Sequence, residues 1–380
     1  MSWPRDDAKL ERVRTLMAEQ ELDALVVRAP DNVLYLTNFW GMKGFDAAVF
    51  PREGEPVLIT IEPSAQDAED TAWTEDVRFV PGYDATDPRP PAVRVLEVAR
   101  AVAAQYEKVG AELSLGTQAT DRMVGEPTTY TKAWFDAFSL DATPLLNEVR
   151  AIKTKQEIER MRLANEIAAA AMEHVARELR PGMKESEAAA LWQGFVHGEG
   201  TGWKGKVELA LPFSLVWSGP GIRTFTATGH RPVQEHEPTL FEIWVCADGY
   251  WCDHTKNVCP GTLEARYDEL LDALLRVYNQ ALDHCRPGAS LRELDRIIRT
   301  GITAAGLAEP SHPIAHGVGA RAHEPPYAHQ AGGGTIEEGM VLAIEPGAYW
   351  DGGGGLRVED NFLITAGGVE KLSSYPDDFR

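Results

Sequence analysis

Two acidic residues on either side of a tight turn are the first sign of chemistry in this chain. In Leu240 to Val258, LFEIWVCADGYWCDHTKNV, two apolar, strand-like runs flank Asp248-Gly249. An Asp-Gly pair between such runs predicts a two-residue hairpin turn. Ala247 then faces Tyr250, and Asp253 faces Trp244. Side chains alternate between faces, so Glu242, Trp244 and Cys246 share a face with Asp253. Glu242 and Asp253 become diagonal neighbours, about 7–8 Å apart at the backbone. Two carboxylates buried together are costly without a cation. Taken alone, the stretch is read equally well as an exposed edge strand.

Three later stretches shift that balance. His312-Pro-Ile-Ala-His316-Gly-Val-Gly319, continuing to His323, puts three histidines within twelve residues of a chain that has ten. Gly339 to Gly347 (GMVLAIEPG) is an apolar strand ending in Glu345 before a proline. Leu356 to Thr365 (LRVEDNFLIT) is expected to be one strand with Arg357 and Glu359 on a common face. Singly, each has an ordinary explanation: a hydrogen-bonded core histidine, a solvated strand-end carboxylate, an Arg–Glu pair. Together they offer one imidazole and four carboxylates. That set balances two divalent cations in charge and suits hard or borderline ions, with Mn2+ first and Co2+ or Zn2+ as alternatives.

The elements needed to position these groups can be read along the chain. Its 380 residues allow two domains, with boundaries expected at 1–148 and 149–380. Helices are expected over 6–21, 92–105, 157–179, 185–197, 262–285 and from Ser290 to about 305. Capping boxes at Thr154–Glu157 and Ser290–Glu293 start two of them. Asn32 to Phe39 reads as a helical turn. Short strands are expected at 25–27, 47–50, 57–60 and 77–80. Helix pairs alternating with antiparallel strands indicate an α+β catalytic part rather than a doubly wound sheet. Histidine is absent before residue 150, and no catalytic constellation appears there.

A net charge of −21 argues against nucleic acid and anionic membranes as partners. The charged start and the absence of a membrane-length apolar run predict a cytoplasmic protein. Cys246, Cys252, Cys259 and Cys285 show no metal spacing and are expected to be reduced thiols.

The spacing Glu/Asp-x10-Asp, then HGxG with a second His seven residues on, then GMVxxIEPG, then RxED resembles the signature of the pita-bread metallopeptidases. The resemblance covers nearly the whole chain and is nearest to the prolidase, aminopeptidase P and creatinase branch. It implies a creatinase-type amino-terminal α/β domain followed by a pita-bread catalytic domain. It also implies that Glu242, Asp253, His316, Glu345 and Glu359 hold two divalent ions and that Glu345 acts as general base. His323 would face the substrate, and His312 and Arg357 would occupy supporting or substrate positions. A homodimer is expected.

Two departures stand out. The family has Asp where this chain has Glu242. Relatives also place a catalytic His about seventeen residues before the first metal carboxylate, where this chain has Phe225 or Thr226. His230, nearby in sequence, is the candidate replacement as a substrate-binding residue. The function expected is metal-dependent hydrolysis of the amide bond before proline in short peptides. The alternatives are a non-peptide C–N hydrolase or lyase acting on a small metabolite, and an inactive binding protein on the same fold.

Overall fold

The computed structural model describes residues 3–113, 131–223 and 226–380. The chain forms two compact units, Met1–Arg150 and Ala151–Arg380.

In the first unit the elements run α1 (Asp7–Glu19), β1 (Ala24–Val27), α2 (Pro30–Thr37), β2 (Ala47–Pro51), β3 (Val57–Ile61), α3 (Ala65–Thr71), β4 (Val77–Val80), α4 (Pro91–Ala103), β5 (Val109–Ala111), α5 (Thr131–Ala137) and α6 (Thr143–Ala151). The strands form one sheet in the order β4-β3-β2-β1-β5, antiparallel at its centre and parallel at both edges. Strand residues alternate between two apolar clusters. Leu25, Val27, Ala48 and Phe50 pack with α1 and α2, while Ala24, Val26, Ala47 and Val49 pack with α4. With helices on both faces, the central strands are apolar throughout. The helical turn expected near Asn32 is a full two-turn helix, α2, begun by Pro30 and ended by Asn38 in the left-handed region.

Asp46 is a buried carboxyl in this unit. Its Oδ1 accepts a 2.6 Å hydrogen bond from Thr60. Gly41 lies so near that a Cβ there would fall 1.7 Å from Asp46 Oδ2. Burial pushes Asp46 up to about 6, with the Thr60 bond opposing. The unfolded chain releases this proton near pH 3.8 and the folded chain only near 6, so stability falls as pH rises between them. Asp46→Asn keeps the bond from Thr60 and removes the charge. It is expected to stabilise the protein by about 1–3 kcal/mol at pH 8 and to do nothing at pH 4. Paired denaturant titrations at the two pH values check this; an equal effect at both would exclude the titration as its cause.

The second unit runs α7 (Lys155–Glu178), α8 (Glu185–Phe195), β6 (Ala210–Ser218), β7 (Thr239–Ala247), β8 (Tyr250–Val258), α9 (Ala265–His284), α10 (Leu291–Ala304), β9 (Ala315–Gly317), β10 (Glu324–Tyr327), β11 (Val341–Ile344), β12 (Gly347–Tyr349), β13 (Gly355–Arg357), β14 (Asp360–Thr365) and β15 (Gly368–Lys371). The reciprocal capping box at Thr154 and Glu157 starts α7, and Ser290 Oγ accepts from Glu293 N–H to start α10. Three antiparallel strands make the sheet β6-β7-β8, and five make β10-β9-β11-β14-β15.

The β7–β8 hairpin has the expected register, with Ala247 opposite Tyr250 and Asp253 opposite Trp244. Asp248 and Gly249 both take positive φ, 47° and 85°. That conformation matches the twist of the flanking strands. The Asp248 carboxylate also accepts from the backbone N–H groups of Glu208 and Leu209. Cys252, Cys259 and Cys285 are free thiols, and Cys246 and Cys252 are offset by one residue across the hairpin and do not face each other. Among the described residues, no helix is long and apolar enough to cross a membrane.

One expectation is corrected. Leu356 to Thr365 is not a single strand but two, β13 and β14, in different sheets. Its partner is broken opposite, between β11 and β12. Both halves keep one register: Ile344 faces Asp360, and Gly347 faces Arg357. Together they are one long hairpin interrupted at Glu345-Pro346 and Val358-Glu359. Proline has no N–H to give the ladder, so the pairing opens there. The shared register sets Glu345 opposite Glu359 in the gap.

Candidate metal centre

The two hairpins supply the acids. The intact one presents Glu242 and Asp253 diagonally, since Glu242 faces Thr255 and Trp244 faces Asp253. The interrupted one presents Glu345 and Glu359 face to face. His316 comes from β9, where it pairs with Ala343 of β11. Ligand atoms of Asp253, His316 and His323, of His316, Glu345 and Glu359, and of Glu242, Asp253 and Glu359 lie within 4.8 Å of one another in each group. The five residues proposed from sequence as ligands are thus gathered, with His323 beside them, and all five are buried.

His316 indicates what the cluster is built to hold. Its Nδ1 lies 3.0 Å from the Gly317 carbonyl, which fixes a ring proton on that nitrogen. Its Nε2, fully buried, has no hydrogen-bond partner. It faces Glu345 Oε1 at 3.5 Å and Asp253 Oδ2 at 3.6 Å. Burial would lower the His316 pKa, but Glu345 and Glu359 raise it, so this nitrogen is placed to take up a cation, a proton or a metal ion. One imidazole and four carboxylates around one guanidinium leave a buried excess of negative charge that divalent ions fit.

Electrostatics within the cluster follow from burial and proximity. Burial and the Glu345 charge push Glu359 up. Burial would raise Glu345 as well, but His312 and His316 hold it below its ordinary value. Burial and the neighbouring His316 lower His323 to about 3, so its ring is neutral at pH 7. His323 Nε2 lies 3.3 Å from Asp253 Oδ2, while its Nδ1 is buried without a hydrogen bond. His312 Nδ1 approaches the Pro313 carbonyl at 2.6 Å and Glu345 Oε2 at 3.3 Å.

Arg357 lies inside the cluster. Its guanidinium forms an ion pair with Glu242. Its Nε donates to Thr255 Oγ1 at 2.6 Å and lies 3.9 Å from Glu359 Oε2. Thr255 has one hydroxyl proton for two acceptors, Glu359 Oε2 at 2.7 Å and Glu242 Oε2 at 3.0 Å. Arg357 Nη1 donates to the Tyr349 hydroxyl at 3.2 Å, which is also 3.4 Å from His312 Nε2. Tyr349 lines a cavity of about 490 Å³ with Arg223, Thr226, Glu309, Trp350 and Asp351. Thr226 is exposed on that cavity, and Phe225 lies outside the described residues. His230 is exposed and is not among the gathered groups.

Sequence reasoning passed over Thr255 and Tyr349. Period-two alternation from Asp253 points to Thr255. Nothing in the spacing points to Tyr349.

The family model for Metallopeptidase family M24 matches residues 159–366, and that for the Creatinase/Prolidase N-terminal domain matches residues 9–152. The chain belongs to metallopeptidase family M24. As a member of that family it is a metallohydrolase of the prolidase type, and the family depends on two divalent metal ions. An Xaa-Pro dipeptidase of Lactobacillus delbrueckii subsp. lactis is 26% identical over 386 residues, covering 96% of each chain. An Xaa-Pro dipeptidase of Pyrococcus furiosus is 30% identical over 241 residues, covering 60% of this chain and 65% of that protein. The crystal structure of the prolidase from Pyrococcus horikoshii OT3 superposes with a TM-score of 0.79 at 22% identity, covering 98% of this chain and all of that one. That likeness is one of fold. The family membership matches the resemblance seen in the motifs, and the α+β architecture with a creatinase-type amino-terminal domain is as expected.

Proposed function

We propose that this M24 protein hydrolyses the amide bond preceding proline in short peptides. The observation that carries the reading is the facing pair Glu345–Glu359, with the unpartnered Nε2 of His316 turned toward Glu345 and Asp253. Glu242, Asp253, His316, Glu345 and Glu359 would hold two divalent ions. When bound, the ions lower the pKa of water and polarise a carbonyl. Glu345, held ionised by His312, takes the proton of the attacking water. Neutral His323 stands beside the cluster and faces the substrate oxygen on which charge develops. His312 and Arg357 fix the orientation of Glu345 and Glu242. The likeness to two Xaa-Pro dipeptidases supports the substrate class. Mn2+ as the ion and a homodimer as the assembly rest on the family resemblance.

A second reading, hydrolysis of a C–N bond in a small metabolite, is favoured by two observations. Glu242 is engaged by Arg357 and Thr255, and exposed Thr226 stands at one of the two positions where the motif spacing places a histidine.

One experiment tests both readings. Chelation should abolish hydrolysis of Xaa-Pro dipeptides, Mn2+ or Co2+ should restore it, and elemental analysis should find up to two ions per chain. Metal uptake with no dipeptide turnover, but turnover of a small amide or amidine, would replace the first reading by the second. No metal after loading would sink both.

A further inference from the structure

Strand β8 is an edge strand of its sheet, yet it is not left without a neighbour. It runs antiparallel beside residues 357–361 in a constant register without forming a ladder with them. Asp253 meets Asn361, Thr255 meets Glu359, and Asn257 meets Arg357. Only the middle pair has a direct backbone bond, from Glu359 N–H to the Thr255 carbonyl at 3.3 Å. At the two ends, side-chain amides take the place of the ladder. Asn361 Nδ2 donates to the Asp253 carbonyl at 2.8 Å, and Asn361 Oδ1 accepts from the Asp253 N–H at 3.0 Å. Asn257 Nδ2 donates to the Arg357 carbonyl at 2.8 Å.

A carboxamide has the donor and acceptor of a peptide group, so Asn361 makes the two bonds that a facing residue's backbone makes in an antiparallel pair. Placed between the strands at this end, it takes the place of the direct ladder bonds. Asp253 and Glu359, on the two sides of this seam, both belong to the acidic cluster. Asn361 is fully buried, and Ala343 faces it on the neighbouring strand β11. Both bonds from its side chain go to the backbone of one residue, Asp253.

We propose that Asn361 is a positioning residue of the metal centre: its amide sets where Asp253 stands relative to Glu359, and thereby sets metal affinity. This rests on the reading of the cluster as a metal site. Partners that orient metal ligands typically contribute about 10–100-fold in affinity. Asn361→Ala should therefore weaken Mn2+ binding by roughly that factor, measured by competition with a chromophoric chelator. The Co2+-loaded variant should also show a shifted visible absorption spectrum, because the ligand geometry has changed. A purely structural role predicts something else: a lower melting temperature of the metal-free protein with unchanged affinity and spectrum, and that result would overturn the proposal. If Asn361→Ala does not fold, Asn257→Ala at the other end of the seam takes its place; the proposal expects a several-fold loss of affinity, and wild-type affinity would overturn it. A wild-type protein that takes up neither Mn2+ nor Co2+ overturns the metal reading itself, which is distinct from wild type and variant binding alike.

Discussion

Glu359→Ala is expected to leave the protein folded and to remove both its metal and its activity. Glu359 belongs to two of the three groups of converging ligand atoms. It stands opposite Glu345 in the interrupted hairpin and accepts from Thr255 at 2.7 Å. Losing it removes a charge that no neighbour can replace. Even a partner that merely orients a ligand contributes about 10–100-fold in affinity, so loss of the ligand should exceed that range. The metal-free fold should not suffer. Burial and the Glu345 charge raise the Glu359 pKa to about 7 from an ordinary value of 4.5, so its ionised form is disfavoured in the fold. That destabilisation grows as pH rises from about 4.5 to 7 and is complete above it. The metal-free variant should thus melt no lower than wild type at pH 8. Elemental analysis, circular dichroism and turnover on one preparation check this. A variant that retains wild-type metal content would remove Glu359 from the ligand set.

Lys256→Met is expected to have the largest effect on stability. Asp253 and Thr255 face the acidic cluster, so Lys256, the next residue after Thr255, points the other way, into a buried charge network. Its ammonium bridges Asp360 at 2.6 Å and Asp377 at 2.7 Å, and Lys371 reaches the same two carboxylates at 3.1 and 2.7 Å. Burial alone would lower the Lys256 pKa, but Asp360 and Asp377 hold it above the ordinary value. Methionine fits the space and leaves the fully buried Asp360 with one lysine, Lys371, beside the Asn361 N–H that its Oδ1 accepts at 2.8 Å. Removing one partner of a buried pair costs about 3–5 kcal/mol, equivalent to roughly 6–20 °C in melting temperature for a unit of this size. The double variant Lys256→Met, Asp360→Asn should recover most of the loss, because the stranded charge is gone. If the double variant melts as low as the single one, packing rather than charge is responsible.

Much of the centre was legible in the sequence because alternation is a strict rule along a strand. Asp248-Gly249 fixed the register of β7 and β8, and the register fixed which side Glu242 and Asp253 occupy. The family motifs placed His316, Glu345 and Glu359. What escaped was the relation between separate stretches. That Glu345 faces Glu359 follows from a hairpin whose two halves lie in different sheets, and Pro346 hides that continuity from a reading of either strand alone. The contact between Arg357 and Glu242 needs both hairpins in place. Asn361 carries no signal, since its partners are backbone atoms 108 residues away. Position 225, where one count places the histidine of relatives, lies outside the described residues, while Thr226 from the other count opens on a cavity rather than on the cluster.

The two-faced character of β8 limits how this protein can change over evolutionary time. Asp253 and Thr255 serve the acidic cluster, and His254 and Lys256 serve the network behind it. Substitutions alter one face at a time. A single-codon insertion or deletion between the turn and Asp253 would exchange the faces at once, turning Lys256 toward the cluster and Asp253 away from it. Divergence in this segment is therefore confined to residue replacement. Changes of length must fall in the connecting loops, such as the one between β12 and β13, where Gly352 to Gly354 bend the chain outside either hairpin half.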